Sequence, residues 1–106
     1  MTVKKGDMYY INPFDGGSGK GRAAVVVSGA EVNDNLEKVS VAYLSSRRSI
    51  RDTKTHVPLS SSGRPCVAVL DGVTTIPLSR LGNYIGHITI EEGNAIDSAL
   101  CVAFDL

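Results

Sequence analysis

Residues that could bind a phosphate group are concentrated in a glycine-rich run from Gly16 to Arg22, which includes the cation Lys20. A Walker-type phosphate loop needs Ser or Thr after Gly-Lys and a glycine five positions before that second glycine. Gly21 and Phe14 occupy these positions here. A dinucleotide-binding loop needs a third glycine where Arg22 stands and a helix after it, whereas an apolar, strand-like run follows. The spacing therefore argues against a nucleotide cofactor.

The same run could still bind a phosphodiester, because glycine lets backbone N–H groups approach closely and Lys20 and Arg22 supply positive charge. An ordinary loop whose glycines serve turns is the alternative. A second cationic segment, Arg47 to Lys54, carries four basic side chains and one carboxylate, and its alternative interpretation is a solvated loop. Since eleven basic and eleven acidic residues cancel over the whole chain, any anion site must be local.

Other catalytic chemistry has little support in the sequence. His56 and His87 lie far apart and in no His-x-x-x-His spacing, so we assign no metal ion and no cofactor. His56 lies in a strand-like segment, where we expect a structural, hydrogen-bonded histidine. No nucleophile-elbow pattern supports a Ser-His-Asp triad. Cys66 and Cys101 each lie in an apolar run, which predicts two buried thiols that form no disulfide.

The elements that must position these residues are short strand-like runs separated by turn residues, which predict a mainly β (α+β) domain. Their spacing is typical of a small, strongly curved, barrel-like sheet. The run from Ala23 to Val27 is apolar throughout, so this strand should be buried on both faces. Asp71-Gly72 predicts a hairpin turn. The expected strands are Asp7–Ile11, Ala23–Val27, Val39–Leu44, Thr55–Leu59, Cys66–Leu70, Val73–Ile76 and Tyr84–Ile88.

The end of the chain predicts an amphipathic helix packed on the sheet. Thr89 and Glu92 have the spacing of a capping box, and a single helical turn is expected earlier, at Pro77 to Leu81. Two long connections, Asn12 to Arg22 and Ser45 to Lys54, hold the glycine-rich and arginine-rich segments, and loops of this length are often functional. The apolar positions at helical spacing are Ile96, Ala99, Leu100 and Ala103.

Length and composition set the remaining expectations. At 106 residues and 42% hydrophobic, the chain suffices for one domain, residues 1–106, with one modest core. Its longest apolar run, from Ala23 to Val27, is far below the roughly 20 residues of a membrane helix. Lys4 and Lys5 are followed by no apolar leader region. We therefore expect a soluble, cytoplasmic protein that does not interact with a membrane.

Seven short segments also occur in an order that resembles the MazF/PemK (Kid-like) toxins of bacterial toxin–antitoxin pairs over nearly the whole chain. None is specific alone, but their order makes coincidence improbable. The segments are Val3–Ile11, Gly21-Arg22 with the apolar strand after it, Val41–Ser46, Thr55-His56-Val57, Val67–Asp71 with Thr75-Ile76, Arg80-Leu81-Gly82 with Ile85-Gly86-His87, and Ile96–Leu100.

The resemblance implies the small barrel-like sheet shared by MazF, Kid and the gyrase-poisoning CcdB toxins. It also implies a homodimer, held inactive by a cognate antitoxin, that cuts single-stranded RNA (mRNA) sequence-selectively, at short sequences, without a metal ion and leaves a 2′,3′-cyclic phosphate and a 5′-OH. By position, the catalytic arginine corresponds to Arg22 and the catalytic threonine to Ser45. Tyr43 or Phe14 would stack a base. The residues expected to bind RNA are Ser18, Lys20, Gly21, Ser46, Arg47 and Arg51.

The sequence departs from the family pattern where RNA would bind. Arg22-Ala23 replaces Arg-Pro, Gly17–Lys20 replaces Gly-Ser-Glu-Gln, and Gly72–Thr75 replaces Gln-Ile-Arg-Thr, so that an amide and a second cation are missing. Two alternatives to a ribonuclease therefore stay open. One is a non-catalytic toxin that binds a protein target such as gyrase, as CcdB does. The other is a degenerate relative that only binds antitoxin or nucleic acid.

Overall fold

The computed structural model describes residues 2–13, 21–46 and 54–106, which form seven strands and two α-helices. The predicted mainly β architecture with a C-terminal helix is confirmed. Two single 3₁₀ turns, Leu70–Gly72 and Leu78–Arg80, interrupt the second half, and the latter confirms the predicted turn. The elements are β1 (Asp7–Ile11), β2 (Arg22–Val26), α1 (Ala30–Asn35), β3 (Lys38–Ser45), β4 (His56–Leu59), β5 (Cys66–Val69), β6 (Thr74–Pro77), β7 (Leu81–His87) and α2 (Ile90–Phe104).

All strand pairs are antiparallel, and the sheet runs in the order β4-β5-β3-β2-β1-β7, with β6 also pairing with β3. In the described part of the chain β4 and β7 end this path, so the sheet is open and not a closed barrel. Strand β3 is long enough to have different partners at its two ends. Residues Lys38 to Val41 pair with β6, while Leu44 and Ser45 pair with β5.

The predicted hairpin at Asp71-Gly72 is wrong. Strands β5 and β6, which flank these residues, pair with opposite ends of β3 and not with each other. The chain between them forms the 3₁₀ turn Leu70–Gly72, and Leu70 is completely buried. Burial of this leucine turns the chain toward the far end of β3, whereas a two-residue hairpin would have kept the two strands adjacent.

Two apolar cores lie on opposite faces of the central strands. Val25 belongs to the first core, and its neighbours Ala24 and Val26 belong to the second, because side chains alternate along a strand. This confirms that β2 is buried on both faces. The first core also contains Met8, Ala42, Leu44, Val57, Leu59, Ala68, Leu70, Ile96 and Ala99, and the second contains Val3, Tyr9, Ile11, Val39, Val41 and Ile76.

Helix α2 covers the first core and begins at the predicted capping box. The Thr89 hydroxyl accepts a hydrogen bond from the Glu92 N–H at 3.1 Å, and the Glu92 carboxylate accepts one from the Thr89 N–H at 2.9 Å. Ile96 and Ala99 lie one turn apart and are both buried. Glu92 also accepts hydrogen bonds from the Ser60 N–H, at 2.8 Å, and from the Ser61 hydroxyl. The helix start is therefore joined to the loop before β5.

Helix α1 was not predicted from the sequence. Its six residues are fewer than the roughly 12 an isolated helix needs, and they show no apolar periodicity. Tertiary hydrogen bonds hold it instead. The buried Asn33 amide donates to the Ser28 carbonyl at 2.8 Å and to the Val3 carbonyl at 3.4 Å.

Both cysteines are free thiols, as predicted, but the prediction that both are buried is wrong. Cys66 is half-buried, whereas Cys101 lies on the outer face of α2 and is exposed. An apolar neighbourhood in sequence does not determine burial on a helix, because successive side chains point in different directions. No helix in the described residues is long and apolar enough to cross a membrane.

Candidate functional site

The predicted catalytic arginine lies at one end of the two central strands β2 and β3, where β2 begins and β3 ends. Arg22 is the first residue of β2 and is exposed, and Ser45 is the last residue of β3. The β2–β3 register pairs Ala24 with Tyr43. Continued by two residues in each strand, the same register brings Arg22 opposite Ser45. The two residues named from the resemblance therefore lie on adjacent strands at the same end of the sheet, although they are 23 positions apart in the sequence.

The Arg22 side chain is held over an aromatic ring. Its guanidinium carbon lies 4.5 Å from the centroid of the Tyr43 ring, which is a cation–π contact. Tyr43 lies diagonally across from Arg22 on the neighbouring strand, within reach of a long side chain. The contact orients the cation at the edge of the sheet. It also occupies a face of Tyr43, the ring that we expected to stack a base.

Gly21 positions Arg22 by letting two backbones approach closely. A Cβ at this position would lie 1.7 Å from the Ile11 carbonyl oxygen, which excludes every other residue type unless the backbone moves. Arg22 pairs with the same Ile11 on β1. Gly21, which we expected to bind RNA, therefore also has a structural role directly beside Arg22.

Arg22 lines a cleft of about 230 Å³ that we call the arginine cleft. A second cation, Arg80, lines it too and donates from Nε to the Asn12 carbonyl at 3.1 Å. None of the described lining residues is acidic, so the cleft can accept an anion. Sequence reasoning noted Arg80-Leu81-Gly82 as a family segment but gave Arg80 no role. The lining residues are Ile11, Asn12, Pro13, Gly21, Arg22, Tyr43 and Arg80.

Ser45 and Ser46 line a second cleft of about 200 Å³ that we call the serine cleft. It lies on the face of the sheet that carries the first core, since Ala23, Leu44 and Ile85 line it. The arginine cleft and the serine cleft therefore divide the predicted catalytic pair between them. A cation, Arg64, is present in the serine cleft as well. The lining residues are Tyr10, Ala23, Leu44, Ser45, Ser46, Ser62, Arg64, Pro65, Cys66 and Ile85.

The remaining predicted RNA-binding residues lie outside the described parts of the chain. They belong to the two long connections, before Gly21 and after Ser46, that carry the glycine-rich and arginine-rich segments. In the sequence, one connection ends at Arg22 and the other begins at Ser45. The residues concerned are Ser18, Lys20, Arg47 and Arg51, together with Phe14.

The two histidines are engaged in separate pairs. His56 Nε2 lies 3.0 Å from Asp71 Oδ1, which also accepts from the Thr55 hydroxyl at 3.1 Å. Burial works to raise the pKa of Asp71, but hydrogen bonds from its own backbone N–H, Thr55 and His56 lower this pKa below the usual value. His87 Nδ1 lies 2.8 Å from the buried Asp7. The His56 contact supports its predicted structural role.

Asp7 also influences Tyr9 on the same strand. The Tyr9 hydroxyl lies 3.4 Å from Asp7 Oδ2, and burial together with this carboxylate raises the pKa of Tyr9.

Among the described residues, no group of three or more His, Cys, Asp or Glu side chains is arranged to hold a metal ion.

Comparison with known proteins finds relatives of the whole chain. The family model described as "PemK-like, MazF-like toxin of type II toxin-antitoxin system" matches residues 4–104. Endoribonuclease MazF3 of Mycobacterium tuberculosis is 30% identical over 90 residues, which cover 82% of this chain and 85% of that protein.

Solved structures agree with the family match. An endoribonuclease in complex with its cognate antitoxin, from a mycobacterial species, superposes with a TM-score of 0.84 at 25% identity, covering 98% of this chain and 96% of that one. The Mycobacterium tuberculosis toxin MazF-mt6 superposes with a TM-score of 0.76 at 27% identity, covering 94% and 97% respectively.

Proposed function

This chain belongs to the PemK-like, MazF-like toxin family of type II toxin–antitoxin systems, and we propose that it is an endoribonuclease that cuts single-stranded RNA. The observation that carries the proposal is the exposed Arg22 guanidinium, held over Tyr43 at the sheet edge where β3 ends in Ser45. The name of the similar MazF3 protein, an endoribonuclease, supports it. We place the toxin in the cytoplasm and treat residues 1–106 as one domain.

The proposed reaction is an internal transesterification of RNA. The 2′-oxygen attacks the adjacent phosphorus, a new P–O2′ bond forms, and the P–O5′ bond breaks. The proton lost by the 2′-OH is balanced by the proton gained by the departing 5′-oxygen, so the products are a 2′,3′-cyclic phosphate and a 5′-OH. Because the nucleophile belongs to the substrate, the proposal requires no metal ion and no cofactor. DNA, which lacks the 2′-OH, is not a substrate.

In this mechanism Arg22 and Ser45 stabilise the negative charge that grows on the phosphate oxygens. Arginine keeps its proton, with a pKa above about 12, so Arg22 acts as a cationic hydrogen-bond donor. The Ser45 hydroxyl donates a further hydrogen bond, with the same donor capacity as threonine. Arg80 binds a neighbouring phosphate in the arginine cleft. The other proposed RNA-binding residues are Ser18, Lys20, Gly21, Ser46, Arg47 and Arg51.

We also propose two protein partners, a second copy of the chain and a cognate antitoxin. The structural neighbour that was solved with its cognate antitoxin supports the second. Apolar side chains exposed along α2 and β7 provide surface for such partners, because water contact at large apolar patches is unfavourable. The most exposed are Tyr84 at 56%, Ile90 at 81%, Val102 at 52%, Phe104 at 50% and Leu106 at 86%.

A cleavage assay tests the enzymatic proposal. Purified protein is incubated with a long single-stranded RNA in EDTA, and the new ends are mapped and chemically identified. Arg22→Ala should reduce the cleavage rate by about 10²-fold or more, as removal of a charge-stabilising donor does. Lys38→Ala, which removes an exposed cation at the opposite end of β3, is the matched control. A matching DNA strand should stay intact.

The outcomes separate the proposed activity from its alternatives. Discrete cuts with cyclic-phosphate ends that disappear in Arg22→Ala but not in Lys38→Ala support the ribonuclease. Intact RNA at high concentrations of folded protein contradicts it and favours a toxin that binds its target without cutting. Cuts that persist in Arg22→Ala support ribonuclease activity but contradict the proposed role of Arg22 in it.

A further inference from the structure

The serine cleft is small and has both apolar and polar lining residues. Its volume of about 200 Å³ is below the roughly 300–1,000 Å³ of pockets that hold drug-sized ligands. Ser45, which is proposed to donate a hydrogen bond to the cut phosphate, lines the cleft, so an occupant lies next to Ser45. A base attached to the nucleotide next to that phosphate can therefore reach it.

The lining of the serine cleft has an apolar part and a polar part. Ala23, Leu44 and Ile85 belong to or pack against the first core and provide apolar contact. Tyr10, on β1, is 45% exposed and offers an aromatic face. Bases of every type stack on aromatic rings, so Tyr10 supplies affinity without selecting among them.

The polar part of the lining consists mainly of hydrogen-bond donors. Arg64 is exposed, and its guanidinium has five N–H donors in a fixed fork and no acceptor. Ser46 adds a hydroxyl group, whereas the Ser62 hydroxyl already donates to the Arg64 carbonyl. A guanidinium facing a base therefore favours bases with carbonyl acceptors on that edge, as the pairing of arginine with guanine illustrates. Guanine O6 and uracil O4 are such carbonyls, whereas adenine and cytosine carry a donor amino group at the equivalent ring position.

The loop that carries Arg64 is ordered by contacts outside the cleft. The Ser60 N–H donates to the Glu92 carboxylate of α2 at 2.8 Å, and the Ser61 hydroxyl donates to the same group. Ser62 Oγ donates to the Arg64 carbonyl at 3.0 Å. These bonds fix the backbone at Arg64 before any ligand arrives, which reduces the entropy lost on binding.

We propose that the serine cleft binds one nucleobase of the RNA next to the cut phosphate, and that Arg64 selects guanine or uracil by donating to the carbonyl at guanine O6 or uracil O4. Tyr10 stacks on that base. This inference rests on the proposed function, since it assigns the base contacts of the same substrate. It makes Arg64 a specificity-determining residue that is separate from Arg22 and Ser45.

Binding of uncleavable single strands tests the inference without requiring catalysis. Four 2′-deoxy oligonucleotides are abasic except at one central position, which carries guanine, uracil, adenine or cytosine, and their Kd values are measured by fluorescence anisotropy. The protein should bind the guanine and uracil strands about tenfold more tightly than the other two, as expected for a charge-assisted hydrogen bond. Lys38→Ala should retain this preference.

Variants of the cleft then assign the preference to its residues. Arg64→Ala should bind all four strands with nearly equal Kd values, and Arg64→Lys, which keeps the charge but not the fork, should lose most of the preference as well. Tyr10→Leu should raise the Kd of all four strands alike by about tenfold, because stacking is insensitive to base type. Circular dichroism checks that each variant is folded.

Equal Kd values for the four strands with the unmodified protein overturn the inference, and so does a preference that survives in Arg64→Ala. Cleavage of RNA is measured separately. If the protein discriminates between the strands but cuts no RNA, the proposed ribonuclease activity fails while the base site stands. If it cuts RNA but shows no preference among the strands, the base site fails alone.

Discussion

The guanidinium carbon of Arg22 lies 4.5 Å from the centre of the Tyr43 ring, so strand β3 orients the side chain with which β2 begins. The aromatic ring is thereby part of the support of the proposed active site. Tyr43→Phe keeps the ring and should leave kcat/KM nearly unchanged. Tyr43→Leu removes it and should lower kcat/KM by about two- to fivefold, the value of an exposed cation–π contact. A fluorogenic RNA is used to measure kcat/KM. Equal losses of kcat/KM in both variants would assign the effect to the phenol hydroxyl.

Ser45 offers a second test of the proposed mechanism. Ser45→Ala should reduce kcat by about 10²-fold, since it removes one donor to the developing charge. Ser45→Thr should stay close to the unmodified enzyme, because threonine has the same hydroxyl donor. Single-turnover cleavage at saturating protein measures the chemical step alone. If alanine and threonine have the same effect there, the hydroxyl does not act in the reaction.

Arg80 should contribute affinity for RNA in the arginine cleft. Arg80→Ala should weaken binding of single-stranded RNA and reduce the slope of log K against log salt by about 0.7, the value for one lost phosphate contact on a single strand. Arg80→Lys keeps a charge and should retain the slope. Titrations at four salt concentrations measure it. An unchanged slope in Arg80→Ala would show that Arg80 contacts no RNA phosphate. Its role would then be the hydrogen bond to the Asn12 carbonyl.

Gly21 should tolerate no side chain. Gly21→Ala places a Cβ 1.7 Å from the Ile11 carbonyl oxygen, and relief of this clash should cost about 1–3 kcal/mol of the free energy of unfolding. The movement should also displace Arg22 and slow cleavage. Gly29→Ala is the control, because no heavy atom lies within 4 Å of its Cβ, and it should cost less than about 1 kcal/mol. Urea unfolding of both variants provides the comparison.

The pH dependence of stability should report the Glu92 carboxylate. Burial acts to raise its pKa, but hydrogen bonds from the Ser61 side chain and from the Thr89, Ser60 and Ser61 N–H groups lower it from 4.5 to about 2. Since the pKa is lower in the folded state, this stabilisation is complete above pH 4.5 and is lost as the pH falls toward 2.

Denaturant unfolding between pH 6 and pH 2 is therefore the measurement for Glu92. Glu92→Gln should reduce the free energy of unfolding at pH 6 and flatten its decline toward pH 2. Glu91→Gln, one position earlier in the same helical turn and exposed, should keep the original decline. Parallel curves for the unmodified protein and Glu92→Gln would show that this carboxylate is not the group that titrates.

The sequence was most informative where local chemistry determines local structure. The bounds of β1 agree with the prediction, and the capping box of Thr89 and Glu92 is present, because alternation and capping act within a few residues. The hairpin at Asp71-Gly72 was wrong because the partner of β6 is β3, more than thirty positions earlier. Local turn chemistry contains no information about such a partner.

The candidate site was predictable only in part for a related reason. Arg22 and Ser45 were named through the resemblance, and the register of β2 and β3 shows how they come together. Arg80 lies on a 3₁₀ turn and lines the arginine cleft, and Arg64 lies on a loop and lines the serine cleft. The positions of this turn and this loop depend on long-range contacts. Arg64 lies in no motif that would have distinguished it from a solvated surface cation, and the family segment Arg80-Leu81-Gly82 gave Arg80 no role.

The position of β1 between β2 and β7 affects when the protein can acquire its final form during synthesis. Met8 pairs with Val25 on one side and with Gly86 on the other. At translation rates of roughly 5–20 residues per second, several seconds separate the appearance of β1 from that of its second neighbour. Until then one edge of β1 has unpaired N–H and C=O groups. Emergence of β7 from the ribosome therefore determines when β1 becomes an interior strand.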